Sequence, residues 1–197
     1  MIRDNVSLIL AALILAAPVG ASAQTQATEE TETVTRSLSR IDWRAVQRDA
    51  AEAGVDNVAP GGGLASFEGT GRSTADNLQI PVLLPSSLLA ARDAGALDEP
   101  FELLARTNDY SAEAKQSPRR YYITGTRVFF ESPPGGDALA STSEELLVET
   151  SLYGISASFE RYGVAYTVEI ECDLPTADPE CIGEQKVRRL VAEMTFV

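Results

Sequence analysis

The chain has 197 residues and no histidine, and its 29 acidic and 16 basic residues give a net charge of −13. The lack of imidazole excludes Ser-His-Asp and Cys-His catalytic groups and histidine-ligated zinc, copper or haem. The negative charge, with no polybasic run to offset it, argues against nucleic acid and anionic lipid as partners.

The first 23 residues have the three parts of a secretory signal peptide. Arg3 lies in a short polar start, an apolar run covers residues 6–17, and small residues at 21–23 are typical of a cleavage site. The apolar run is shorter than the roughly 20 residues that a membrane-spanning helix needs. We therefore expect residues 1–23 to be removed and the mature protein to be periplasmic or secreted, with no stable membrane insertion.

The next segment, 24–36, is rich in threonine and glutamate and is expected to be a disordered tail. The remaining residues, 37–197, are enough for a single α+β domain with its own hydrophobic core. The hydrophobic content of 44% is typical of a globular protein.

A helix is predicted to begin after Ser39, which forms a pattern like a capping box with Asp42, and to end near Gly54. The glycine-rich stretch 59–77 has no lysine and so does not match a P-loop, which makes it a connector. The apolar run 78–85 contains Pro81 and suits an edge strand or an extended segment packed on the core, not a central strand.

Further along the chain, residues 86–93 fit a short helix, and residues 101–106 could be a strand or a helix. Two hairpins are predicted after these segments, because apolar residues alternate with polar ones over 110–130 and again over 155–170. The hairpins are separated by a loop at 131–145, and the second turns at 162–163. They share a loose residue pattern, which leaves open whether one arose by duplication of the other.

Near the C-terminus, residues 183–193 have helical spacing of apolar side chains, and the last four residues fit a short strand. Cys172 and Cys181 are the only two cysteines. Their spacing is not that of a Cys-x-x-Cys redox centre, and two thiols without histidine are too few for a zinc site. In an oxidising compartment we expect them to form a disulfide that joins the end of a strand to the start of the last helix.

These elements predict an α+β fold. A mostly antiparallel sheet of four to six strands is expected to be packed by an N-terminal and a C-terminal helix, with one disulfide. One face of the sheet should be buried and the other more polar.

The candidate binding residues are Tyr110, Arg119, Tyr121 and Arg127. Guanidinium and phenol groups suit carboxylates, sugars or a protein partner. The alternative is that these residues make only ordinary cross-strand pairs, because alternation places just half of the stretch 119–122 on each face of a strand.

The carboxylates offer two weaker possibilities. Asp173, Asp178 and Glu180 could bind calcium, but their spacing does not match an EF-hand, and a solvated acidic loop without metal is favoured. A glycosidase needs two carboxylates, but nothing in the sequence places any two of them across a cleft.

The leading hypothesis is a small exported periplasmic protein that is not catalytic, needs no cofactor and binds another protein of the cell envelope. It rests on the export signal, the single small domain and the lack of catalytic motifs. A periplasmic module for a small ligand or sugar is the first alternative, and a carboxylate-dependent hydrolase is the second.

Overall fold

The computed structural model describes residues 35–56, 58–59, 78–131, 146–173, 181 and 183–197. The predicted signal peptide lies outside these residues, as do nearly all of the predicted tail, most of the glycine-rich connector and most of the loop at 131–145. Asp178 and Glu180 of the acidic stretch also lie outside them. Residues 35 and 36, the last two of the predicted tail, belong to the first strand.

The described residues form three helices and ten strands. In chain order these are β1 (Thr35–Leu38), α1 (Trp43–Glu52), β2 (Leu83–Pro85), α2 (Ser86–Asp93), β3 (Glu102–Ala105), β4 (Asp109–Gln116), β5 (Arg119–Thr126), β6 (Val128–Glu131), β7 (Leu147–Thr150), β8 (Gly154–Arg161), β9 (Val164–Cys172), α3 (Glu184–Ala192) and β10 (Met194–Phe196).

Six of the strands form one antiparallel sheet in the order β3-β4-β5-β9-β8-β7. Two smaller antiparallel sheets pair β1 with β6 and β2 with β10. The prediction of a mostly antiparallel sheet with helices and one disulfide is confirmed. Helix α3 contacts β8 and β9, and α1 contributes Val46 and Ala50 to the same core.

One face of the large sheet is buried, as the alternating pattern predicts. On β9 every second residue is in the core, and the residues between them are partly exposed. The same alternation occurs on β4, β5 and β8. The core residues of β9 are Val164, Tyr166, Val168, Ile170 and Cys172.

The two halves of the large sheet have the same layout. The strands β3, β4 and β5 begin at residues 102, 109 and 119, and β7, β8 and β9 begin at 147, 154 and 164, an interval of 45 residues each time. The pairing registers are also related by 45 residues, because Glu102 pairs with Glu113 in the first half and Leu147 pairs with Ser158 in the second. The two halves are therefore related by a pseudo-twofold axis that passes through the central pair Ile123–Val168.

The segment before α2 is held on the sheet by two buried tyrosines. The Tyr110 hydroxyl donates to the carbonyl oxygen of Leu83 at 2.6 Å, and the Tyr166 hydroxyl donates to that of Pro81 at 3.1 Å. Their ring centroids lie 6.5 Å apart, and each tyrosine pairs across the sheet with Gly125. A side chain at Gly125 would collide with the Tyr110 ring, so glycine makes room for this packing.

The start of α1 differs from the prediction. Asp42, rather than Ser39, is the N-cap, because its Oδ1 accepts hydrogen bonds from the amides of Arg44 and Ala45, both at 3.1 Å. The Ser39 hydroxyl instead donates to the carbonyl oxygen of Gly163 in the β8–β9 turn. The predicted end near Gly54 is confirmed by its left-handed φ of 73° just after the helix.

The disulfide is confirmed. Cys172, at the end of β9, is bonded to Cys181, and the Cα atoms are 6.2 Å apart. Both residues are buried. Because α3 begins at Glu184, the bond joins the end of a strand to the region just before the last helix, as expected.

Candidate functional site

The structure does not bring the four predicted binding residues together at one surface. Tyr110 and Tyr121 are both buried in the core. Arg119 begins β5 and Arg127 follows its last residue, so their backbones are separated by roughly 26 Å of extended strand. The two tyrosines point into the protein, and only the two arginines are partly exposed.

The neighbouring pair Arg120 and Tyr122 lies on the outer face of the sheet. Arg120 Nη1 donates to the Tyr122 hydroxyl at 3.3 Å, and Arg120 Nε lies 3.2 Å from Glu113 Oε1 on β4. These contacts, led by the bond to Tyr122, raise the pKa of Arg120 above its ordinary value. Arg120 and Tyr122 therefore make ordinary contacts within the sheet, including the cross-strand pair of Arg120 with Glu113, as the alternative hypothesis predicts.

The carboxylates give no metal-binding group in the described part of the chain. Glu169 and Glu171 lie on the partly exposed face of β9, as the alternation predicts. No cluster of three or more aspartate, glutamate or cysteine side chains that could hold a metal ion is found among the described residues. Nor do these residues include a helix that is long and apolar enough to span a membrane.

The most exposed apolar side chains lie along β7 and the turn that follows it. Leu147 on β7 is 57% exposed, and Leu152 and Tyr153 in the turn are 87% and 69% exposed. β7 is the last strand of the large sheet, so among the described strands none pairs with its outer edge. We call Leu147–Thr150 and the turn residues 151–153 the β7 edge.

The backbone of the β7 edge is fixed at its turn. The Ser151 amide donates to the Gly154 carbonyl oxygen at 2.9 Å, and the Ser151 hydroxyl oxygen accepts from the Gly154 amide at 3.1 Å. The Tyr153 carbonyl oxygen accepts from the amide of Cys172 at 3.0 Å. A Cβ at Gly154 would collide with the Ile170 carbonyl oxygen, so the turn lies directly against β9. A fixed backbone lowers the entropy cost of binding through the exposed side chains.

A groove of about 1040 Å³ lies near the start of β7, between α1, β8, α3 and β10. Leu146, which directly precedes β7, is one of its lining residues. Its larger apolar side chains are those of Leu146, Phe159, Val191, Met194 and Phe196, and its charged lining residues are Asp42, Arg48, Asp49, Glu52, Glu160 and Arg161.

A hydrogen bond between the side chains of Asp49 and Tyr162 links α1 to the β8–β9 turn at this groove. The Tyr162 hydroxyl donates to Asp49 Oδ2 at 2.9 Å. This bond is the main reason that the pKa of Asp49 is lowered. Burial, followed by the bond to Asp49, raises the pKa of Tyr162 to about 12. The pair therefore favours an ionised Asp49 and a neutral Tyr162.

Comparison of the chain with protein-family models, with curated proteins and with solved structures finds no match.

The β7 edge was not among the residues singled out from the sequence. A signal for it exists at residues 151–154, where a leucine and a tyrosine occupy a turn that would ordinarily be polar. The strand itself is harder to find, because Leu147–Thr150 is only four residues long and follows a stretch with no apolar periodicity.

Proposed function

We propose that this protein is an exported, non-catalytic binding protein that holds an extended segment of another cell-envelope protein along the β7 edge. The observation that carries the proposal is the concentration of exposed apolar side chains on β7 and the turn after it, where the outer edge of the sheet has no partner among the described strands. Exposed apolar side chains that cluster on one surface are typical of protein interaction sites.

The chemistry of the edge favours addition of a strand. The unpaired amides and carbonyl oxygens of β7 can bond to the main chain of an extended segment, which supplies affinity without a preformed pocket. Leu147, Leu152 and Tyr153 then provide the side-chain contacts that select the segment. Tyrosine in particular gives a large contact area at a low entropy cost.

The charge of the edge favours a basic partner over a second copy of this chain. Glu149 lies exposed in the middle of β7, and the whole chain carries a net charge of −13. Two copies paired along β7 would bring like charges together, which is unfavourable for directly opposed strands. A segment with lysine or arginine facing Glu149 and apolar residues facing Leu147 fits the edge.

Site-specific photo-crosslinking in intact cells tests this function. A photoreactive amino acid is placed at position 147, 152 or 153, and the matched control carries it at Leu104. Leu104 suits this purpose because it is 53% exposed and lies on β3, the strand at the opposite edge of the same sheet. We expect one envelope protein to be crosslinked from the β7 edge and not from position 104.

Two results would contradict the proposal. Equal crosslinking from all four positions would show that the β7 edge is not a specific surface. A crosslinked homodimer from position 152 or 153 would show that the edge pairs with a second copy instead. A supporting result should also be lost when Leu152→Glu is combined with Tyr153→Glu, and retained with Leu104→Glu.

A further inference from the structure

A second surface, independent of the proposed function, lies at the start of α1. A cleft of about 780 Å³ is formed where the loop between β1 and α1 meets the bend between β5 and β6. This volume is within the range of small-molecule sites. It is lined by Arg40, Ile41, Asp42, Trp43, Arg44 and Arg127.

Arg127 is held in place by neutral groups. Its Nε donates to Asn108 Oδ1 at 2.7 Å and its Nη2 donates to Gln79 Oε1 at 2.8 Å. The backbone is also fixed, because the Arg127 carbonyl oxygen accepts from the Ser39 amide and the Arg127 amide donates to the Asn108 carbonyl oxygen, both at 3.0 Å. The two side-chain amides orient the guanidinium but do not neutralise it.

The cleft is positive although the protein is strongly negative. Three arginines and one aspartate line it, and the Oδ1 atom of Asp42 is engaged by two amides at the start of α1. Among the described residues, no carboxylate lies within 4.0 Å of the guanidinium nitrogens of Arg40, Arg44 or Arg127. In a chain with 29 acidic and 16 basic residues, a cleft with a local excess of positive charge is unexpected.

Trp43 adds an aromatic surface to the cleft. It is the only tryptophan in the chain, and it is half-buried against the core rather than enclosed by it. A guanidinium group recognises an oxyanion through paired N–H donors, while an indole ring offers a face to an apolar or ring-shaped group. The two features together define the chemistry of a ligand.

We propose that this cleft binds the oxyanion of a small molecule, a carboxylate or a phosphate, through Arg40, Arg44 and Arg127, with the ring or apolar part of the ligand on Trp43. Arg127 is the fixed donor, and the more exposed Arg40, in the loop before α1, and Arg44, in the first turn of α1, also donate to the anion.

The fluorescence of Trp43 gives a direct readout, because the chain has no other tryptophan. The purified full-length mature protein is titrated with phenyl phosphate, phenylacetate and, as an uncharged control, benzyl alcohol. We expect a saturable change with at least one of the two anions at millimolar concentration, none with benzyl alcohol, and weaker binding at high salt. Tighter binding of phenyl phosphate would assign the site to phosphates, and tighter binding of phenylacetate would assign it to carboxylates.

Variants locate the site. Arg127→Met should weaken anion binding about tenfold, the loss expected for one charge-assisted hydrogen-bonding group. The matched control is Arg188→Met on α3, where the exposed arginine pairs with Glu184, and it should bind like the wild type. If Arg127→Met fails to fold, Arg44→Gln decides, because Arg44 is exposed and its side chain makes no ion pair among the described residues.

The proposal is overturned if neither anion changes the fluorescence saturably. It is also overturned if a folded Arg127→Met variant, or Arg44→Gln in its place, binds the anion as tightly as the wild type.

Discussion

Tyr110 has a polar group that is enclosed in the core. Its hydroxyl donates to the carbonyl oxygen of Leu83 and also accepts from the Leu83 amide at 3.3 Å. Burial raises the pKa of the hydroxyl well above its ordinary value. Tyr121 is equally buried, but its hydroxyl forms no hydrogen bond with any described residue. The two tyrosines have the same residue exposure, and of the two only Tyr110 has a hydroxyl that is hydrogen-bonded to a described residue.

We expect Tyr110→Phe to lower the free energy of unfolding by about 1–3 kcal/mol, because it leaves two buried backbone groups of β2 without a partner. Tyr121→Phe should have a much smaller effect. Urea denaturation of the two variants, followed by circular dichroism, measures both values. Equal effects in the two variants would show that the bond to Leu83 does not hold β2 in place.

The contact between Tyr162 and Asp49 predicts a pH dependence. Asp49 has a lowered pKa in the folded state, so the stability it contributes is present above its ordinary pKa of 3.8 and is lost as the pH falls through the lower folded value. Tyr162 has a pKa of about 12 in the folded state and an ordinary value of 10.0, so the protein loses stability as the pH rises through this interval.

Tyr162→Phe removes the main cause of the shift at Asp49. We expect the variant to have a lower urea midpoint than the wild type at neutral pH, and the difference to shrink below about pH 3.8, the ordinary pKa of Asp49. The variant should also lose stability less steeply than the wild type above about pH 10. Denaturation curves at acid, neutral and alkaline pH check this, and a difference that does not vary with pH would contradict it.

The disulfide acts at the level of elements, because it joins the end of β9 to the chain just before α3. The two cysteines are nine residues apart in sequence. Closing this loop lowers the entropy of the unfolded state and so stabilises the folded state by about 2.5–3 kcal/mol. Helix α3 packs Val187 and Leu190 into the core. The bond therefore keeps an amphipathic helix next to the sheet that it covers.

We expect the double variant with Cys172→Ser and Cys181→Ser to unfold at lower guanidinium concentration, with a loss of about 2.5–3 kcal/mol. Reducing agent should destabilise the wild type by a similar amount and leave the double variant unchanged. A wild type whose midpoint is insensitive to complete reduction would show that the bond does not stabilise the fold.

Helices and strands whose apolar residues recur at a regular spacing could be predicted from the sequence. Short strands that form only by pairing with a distant part of the chain could not. The two hairpins alternate over eight or nine residues, and α3 has clear helical spacing, so each was predicted close to its observed bounds. Strands β1 and β6 are four residues each, and their paired residues, from Leu38–Val128 to Thr35–Glu131, are 90 to 96 residues apart in sequence, which no local pattern reveals. The β7 edge could not be predicted for the same reason, because a strand lies at the edge of a sheet only through the order in which all the strands pair.

At the scale of the whole molecule, the repeated layout of the large sheet is clear in the strand spacing but only loosely visible in the residues. Some core positions near the pseudo-twofold axis keep their character, with Tyr121 matching Tyr166 and Ile123 matching Val168 at the 45-residue interval. Others have diverged, since Gly125, which is as far from the axis as Tyr121, corresponds to Ile170. The two halves therefore agree in the spacing and pairing register of their strands, but they have only a few core residues in common.

The candidate binding cleft could likewise be predicted only in part, because its residues come from distant parts of the chain. Arg127 could be singled out from its residue type. Its neighbours in the cleft precede it by more than 80 residues: Arg40 is in the loop before α1 and Arg44 is in the first turn of α1. The large sheet carries β5 to the point where β6 pairs with β1, and this pairing brings the loop before α1 next to Arg127. Long-range pairing of this kind cannot be inferred from the stretch 119–127 alone.

The pairing of β2 with β10 has a consequence for the order in which the protein is made. β2 is an early segment of the chain, but its only strand partner among the described residues is β10, which is synthesised more than 100 residues later. Until residues 194–196 emerge from the ribosome, β2 has no strand to pair with, and α3 does not yet cover β8 and β9. A growing chain therefore cannot complete its core. For the exported protein that we propose, this delay would leave the chain without a complete core until its synthesis is almost finished.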